Sequence, residues 1–94
     1  MNNKVNKLEE NSFKSINEFK DCIIRGAEIC FIWKNVKYGI TPFADYVNIC
    51  IYDDFTDVIK EYDFKTADEL LDFQIGDSRL RDVITKVEVF DRTL

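Results

Sequence analysis

Apolar and polar positions alternate most clearly over residues 27–41, AEICFIWKNVKYGIT. Ala27, Ile29, Phe31 and Trp33 share one face of a strand, and Cys30 and Ile32 share the other. Apolar character on both sides predicts a central strand covered on both faces for part of its length. Val36, Tyr38 and Ile40 alternate with Lys37, Gly39 and Thr41, the pattern of a half-buried return strand. The two form a β-hairpin turning near Lys34-Asn35-Val36-Lys37. Asn tolerates positive φ and Val does not, so a bulged or longer loop is expected there rather than a tight type I′ turn. The expected core is Ile29, Phe31, Trp33, Ile49, Ile51, Leu70, Val83 and Ile84.

The flanking segments complete the layer. Residues 1–11 are polar and weakly patterned, and are expected to be a flexible tail before a single domain over 12–94. Ser15 and Glu18 have capping-box spacing, Ile16, Phe19 and Ile23 form a helical stripe, and Gly26 stands where a left-handed C-cap belongs, so a helix is expected over 15–25. Residues 46–52, YVNICIY, read as a third strand. Residues 58–64 fit a fourth strand, with a helix over 56–62 as the competing reading. Thr66 and Glu69 form a second capping box, opening a short helix that ends near Phe73. Leu80, Val83, Ile84 and Val87 give a further helical stripe, with residues 88–94 either continuing it or pairing as an extended segment. The expected architecture is α+β: an antiparallel three- to four-stranded meander with an N-terminal helix and two C-terminal helices.

Composition narrows the chemistry more than the fold. A chain of 94 residues makes one domain with one modest core. There is no histidine, which removes histidine acid–base catalysis, His-dependent nucleophile systems and most zinc sites. No GxxxxGK[ST] or GxGxxG phosphate loop occurs. Cys22, Cys30 and Cys50 are odd in number, lack CxxC spacing and sit in apolar runs, so buried structural thiols in a reducing cytoplasm are expected. No signal peptide and no apolar run of membrane-spanning length is visible. The carboxylates Asp53, Asp54 and Asp57 do not match a calcium loop, and no metal or cofactor is expected.

Charge is distributed unevenly. The net charge is −5, and residues 53–82 hold ten acidic against four basic side chains. Such a surface disfavours direct nucleic-acid binding and suits a protein partner with a basic surface. The expected contact residues are Asp53, Asp54, Asp57, Asp68, Glu69 and Asp72, with Arg79 and Arg81 added because cations in the first turn of a helix oppose its dipole. No membrane contact is expected, and a homodimer is the alternative assembly.

Gly26-x-Glu28-Ile29-x-Phe31-x-Trp33, Tyr38-x-Ile40-Thr41, Phe64-x-Thr66-x-x-Glu69-Leu70-Leu71-x-Phe73-x-Ile75 and Leu80-x-x-Val83-Ile84 resemble a group of small uncharacterised proteins of low-GC Gram-positive bacteria and their phages and mobile elements. Asn35-Val36 departs from the Asn-Gly common at their hairpin turn. The resemblance implies a compact cytoplasmic domain and nothing catalytic. Together the features point to a small acidic, non-enzymatic protein-binding domain: an inhibitor, immunity or regulatory protein. The alternatives are a homodimerising structural module and a small-molecule-binding protein.

Overall fold

The computed structural model describes residues 12–53 and 56–93. The expected tail at 1–11 lies outside them. Helix α1 (Ile16–Ile24) is followed by strands β1 (Glu28–Trp33), β2 (Val36–Pro42), β3 (Val47–Asp53) and β4 (Asp57–Phe64). Then come α2 (Ala67–Leu70), the short strands β5 (Gln74–Ile75) and β6 (Ser78–Arg79), α3 (Leu80–Val83) and β7 (Glu88–Thr93). Strands β1 to β4 form an antiparallel meander, and β7 adds to β1, giving the order β4-β3-β2-β1-β7. The α+β architecture expected from the sequence is present, with a fifth strand from the C-terminal segment.

Local chemistry explains most boundaries. Ser15 Oγ accepts the Glu18 N–H at 3.1 Å, while Glu18 Oε1 accepts the Lys14 N–H at 2.6 Å. Thr66 Oγ1 accepts the Glu69 N–H at 3.1 Å, and Glu69 Oε1 accepts the Lys65 N–H at 3.0 Å. Both capping boxes therefore form, with the carboxylate reaching one residue further back than the usual reciprocal bond. Gly26, at φ +85°, closes α1 in the left-handed region. Pro42 is the last paired residue of β2, where its missing N–H costs least.

Three expectations need correction. The first hairpin turn is tight. Trp33 pairs directly with Val36, so the two turn residues are Lys34 and Asn35, at φ 52° and 67°. Val36 lies in the strand, and the objection to valine at positive φ does not arise; Lys34 carries the strain instead. The stripe from Leu80 to Val87 forms one helical turn, not two, and the chain from Glu88 onward pairs with β1 instead, with Val87 buried just ahead of that strand and Val89 buried within it. Arg79 is the N-cap of that turn, with no side-chain capping bond, so of the two arginines expected in its first turn only Arg81 lies inside it.

The core lies on one face of the sheet. Ile29, Phe31, Tyr38, Ile40, Val47, Ile49 and Val89 project from it onto Phe19, Cys22 and Ile23 of α1, and Leu70, Leu71, Leu80, Val83 and Ile84 from the later helical segments. Trp33 and Ile51, expected in the core, are only partly buried against it. Phe31 stacks on Tyr38 at 5.1 Å between centroids. Arg92 of β7 ties the sheet to the start of the described chain. Its guanidinium donates to Glu18 Oε2 and to the Ser12 carbonyl, both at 3.0 Å, and lies 4.4 Å from the centre of the Phe13 ring.

Candidate functional site: the uncovered face of the sheet

With the helical segments on one side, no described residue forms a layer over the other face of the sheet. β1 was expected to be covered on both faces for part of its length; among the described residues its second face has no such cover. Register places Glu28, Cys30 and Ile32 there from β1, facing Gly39 and Lys37 of β2. Asn48, Cys50 and Tyr52 follow from β3, then Val58, Glu61 and Asp63 from β4. Glu88 and Asp91 come from β7.

The centre of this face is half-buried and the rim is charged. Cys30, Ile32, Cys50 and Tyr52 are each partly buried, while Glu28, Glu61, Asp63, Glu88 and Asp91 are exposed. Gly39 separates the two cysteines, and the Tyr52 ring lies over it. A Cβ at position 39 would stand 3.2 Å from Tyr52 Cε1 and 3.3 Å from its hydroxyl oxygen, so the glycine makes room for the tyrosine. The Lys37 ammonium sits 4.4 Å from the centre of the Tyr52 ring and 5.6 Å from that of Phe90. The Asn48 amide donates to Glu61 Oε1 at 3.2 Å and to Asp63 Oδ1 at 2.9 Å. The Cys50 thiol donates to Asn48 Oδ1 at 3.0 Å.

Burial pushes the Cys30 and Cys50 thiols above the usual range, and the carboxylates of Glu61 and Asp63 push Cys50 further the same way. Burial likewise raises the Tyr52 phenol. The thiols are therefore protonated and weakly nucleophilic at neutral pH. Cys22 is buried as expected, whereas Cys30 and Cys50 are only half-buried. Among the described residues no group of three or more acidic or cysteine side chains is placed to hold a metal ion.

The acidic residues singled out from the sequence fall into two groups at opposite ends of β4. Asp53 and Asp57 face each other where β3 meets β4, and Asp54 lies outside the described residues. Asp68, Glu69 and Asp72 lie beyond the other end of the strand, roughly 23 Å away along it. These three carry out local tasks. Asp68 pairs with Lys20 at 2.9 Å, Glu69 closes its capping box, and Asp72 accepts from Arg81 at 2.8 Å with Arg79 at 3.9 Å. Arg79 of β6 and Arg81 of α3 thus neutralise Asp72. In contrast, no lysine or arginine among the described residues lies within ion-pair distance of Glu28, Glu61, Asp63 or Glu88. Sequence reading missed Glu28, Glu88 and Asp91 as members of one surface. The signal was present in the strand alternation, but it needed β7 placed beside β1.

No helix among the described residues is long and apolar enough to cross a membrane. No protein-family model, curated protein or solved structure matches the chain.

Proposed function

We propose that this chain is a small acidic, non-enzymatic protein-binding domain, an inhibitor, immunity or regulatory protein, that meets a basic partner across the uncovered sheet face. The observation that carries the reading is the composition of that face. Glu28, Glu61, Asp63, Glu88 and Asp91 surround a half-buried centre, and Lys37 is the lone basic side chain among the described strand residues there. A half-apolar centre with a charged rim is the usual anatomy of a protein interface. The rim's single sign favours a partner of opposite sign and opposes two copies meeting face to face. The protonated thiols support a binding role over a nucleophilic one. A cytoplasmic setting and encoding by a phage or mobile element follow from the free thiols and the sequence resemblance alone.

The test begins with capture of partners from the native host. The partner so identified is then titrated with the wild-type protein and with Glu61→Lys/Asp63→Lys. Binding should weaken in the variant while its circular dichroism spectrum is retained. Association should also slow as salt rises from about 0.1 M to about 1 M, where the Debye length falls from about 10 Å to about 3 Å. Affinity unmoved by both the reversal and the salt would remove the uncovered face from consideration.

A further inference from the structure

We propose that β4 is the contact edge for this partner, and that an extended basic segment joins the sheet there as an added antiparallel strand, placing Lys or Arg opposite Glu61 and Asp63. The inference rests on the reading of the uncovered face as the partner surface, and specifies how that surface is engaged.

The two sheet edges differ. At β7 the pairing with β1 is interrupted by a bulge beside Phe90, Val89 is buried, and Arg92 is held by Glu18 and the Ser12 carbonyl. At β4 every residue from Asp57 to Asp63 is exposed. Its irregularity falls at the start of the strand, where the partners change from Lys60 to Val58, so Lys60 to Phe64 keep regular register with β3. Natural edge strands are usually short or blunted, because their free N–H and C=O groups recruit other strands. This one is eight residues long and carries exposed Val58, Ile59 and Tyr62.

The charge pattern selects the occupant. In a two-fold antiparallel pairing of β4 with a second copy, opposed residues must share a face, which limits the registers. With Ile59 bulged out of the ladder, every register that pairs five or more residues of Asp57–Phe64 sets like charges directly opposite each other: Lys60 with Lys60, Glu61 with Glu61, or Glu61 with Asp63. Directly opposed like charges destabilise a strand pair. The edge therefore rejects its own copy. A foreign strand with basic residues at alternate positions meets no such conflict. Glu61 and Asp63 are held on one face, two residues apart, by the shared Asn48 amide, matching the two-residue period of an incoming strand. On its other face the same strand would run beside Tyr62 and Phe64, which already pack on Phe73. Backbone bonds would supply affinity and the two carboxylates specificity, the division seen in strand addition generally.

The test uses a blocked synthetic peptide alternating Arg or Lys with Val, and a control of equal charge carrying proline at alternate positions. Binding is followed by amide hydrogen exchange and by chemical shifts of the full chain. The expected result is slowed exchange at outward-facing amides of β4, no change at β7, no binding of the proline control, and at least about tenfold weaker binding by Glu61→Lys/Asp63→Lys. Failure of the alternating peptide to bind overturns the proposal. So does equal binding of the proline control, or binding that shifts Lys37, Tyr52 and Phe90 without protecting β4. In that last case the acidic face still meets a basic partner, so the function proposed above stands while the edge contact falls.

Discussion

Replacing Phe31 by alanine tests the whole account of the core. The side chain has no exposed surface, and its ring stacks on Tyr38. Its backbone is pinned on both sides, to Tyr38 in β2 and to Val89 in β7. A void at this position cannot close by moving a loop, because the flanking chain is fixed by strand pairing. Phe→Ala in such a site costs roughly 3–5 kcal/mol, and poor collapse places this one toward the upper part of that range. A small domain has about 5–15 kcal/mol in total, so the variant should retain a fold with a markedly lower urea midpoint. Trp33→Ala is the internal control. Tryptophan is larger, but Trp33 is only partly buried at the end of β1, so its truncation should cost about 1–3 kcal/mol. The measurement is equilibrium urea unfolding of the three proteins by circular dichroism, fitted with a common slope. A loss below about 1 kcal/mol for Phe31→Ala, or a greater loss for Trp33→Ala than for Phe31→Ala, would refute a core centred on β1.

Three further outcomes follow from local chemistry. Lys34→Asn/Asn35→Gly gives both turn positions residues suited to positive φ, and should raise stability by roughly 0.5–2 kcal/mol in a thermal melt, with a loss of stability contradicting the tight turn. A thiolate-selective reagent should label Cys22 only on unfolding, and should label Cys30 and Cys50 in the native protein faster as pH climbs past the ordinary thiol value of 9.0, since both are raised above it. The Glu18 carboxyl is held below its ordinary value of 4.5, first by the Lys14 N–H and then by Arg92. A carboxyl lowered in the folded state adds stability that is complete above that value and is lost as pH falls through the lowered one, so Glu18→Gln should flatten the acid limb of a melting-temperature profile below about pH 4.5.

Much of the fold was legible because β2 alternates apolar with polar or small residues, β1 and β3 are β-prone apolar runs, and two capping boxes mark helix starts. The C-terminal quarter was less so. Leu80, Val83, Ile84 and Val87 fit a helical stripe, yet the same side chains bury equally well as one helical turn followed by a strand. Only the vacant edge of β1 favours the second outcome, and a vacant edge is a tertiary fact. The apolar second face of β1 misled in the opposite direction. Cys30 and Ile32 are only half-buried, with no second layer over them among the described residues. Charge counting located the acidic segment but not the acidic surface. Residues that are contiguous in sequence, Asp68 to Asp72, are occupied locally, and those that share a face come from three strands.

The position of β7 also bears on how the sheet is built up in time. Trp33 meets Val36 across a two-residue turn, whereas Ile32 meets Glu88 after the whole meander and both later helical segments have intervened. Loop closure costs about 0.6 kcal/mol for each doubling of the enclosed chain, so pairing β7 costs roughly 2.5 kcal/mol more than closing the first hairpin. The meander can zip up from local contacts, while β7 must await a distant partner. Until it docks, β1 presents the bare apolar edge EICFIW to solvent. Because β7 is an edge strand paired with β1, its departure leaves every pairing of the meander in place. Sub-global opening should therefore begin at β7, and amides of β7 should exchange through that opening while those of β2 and β3 wait for the whole domain to unfold.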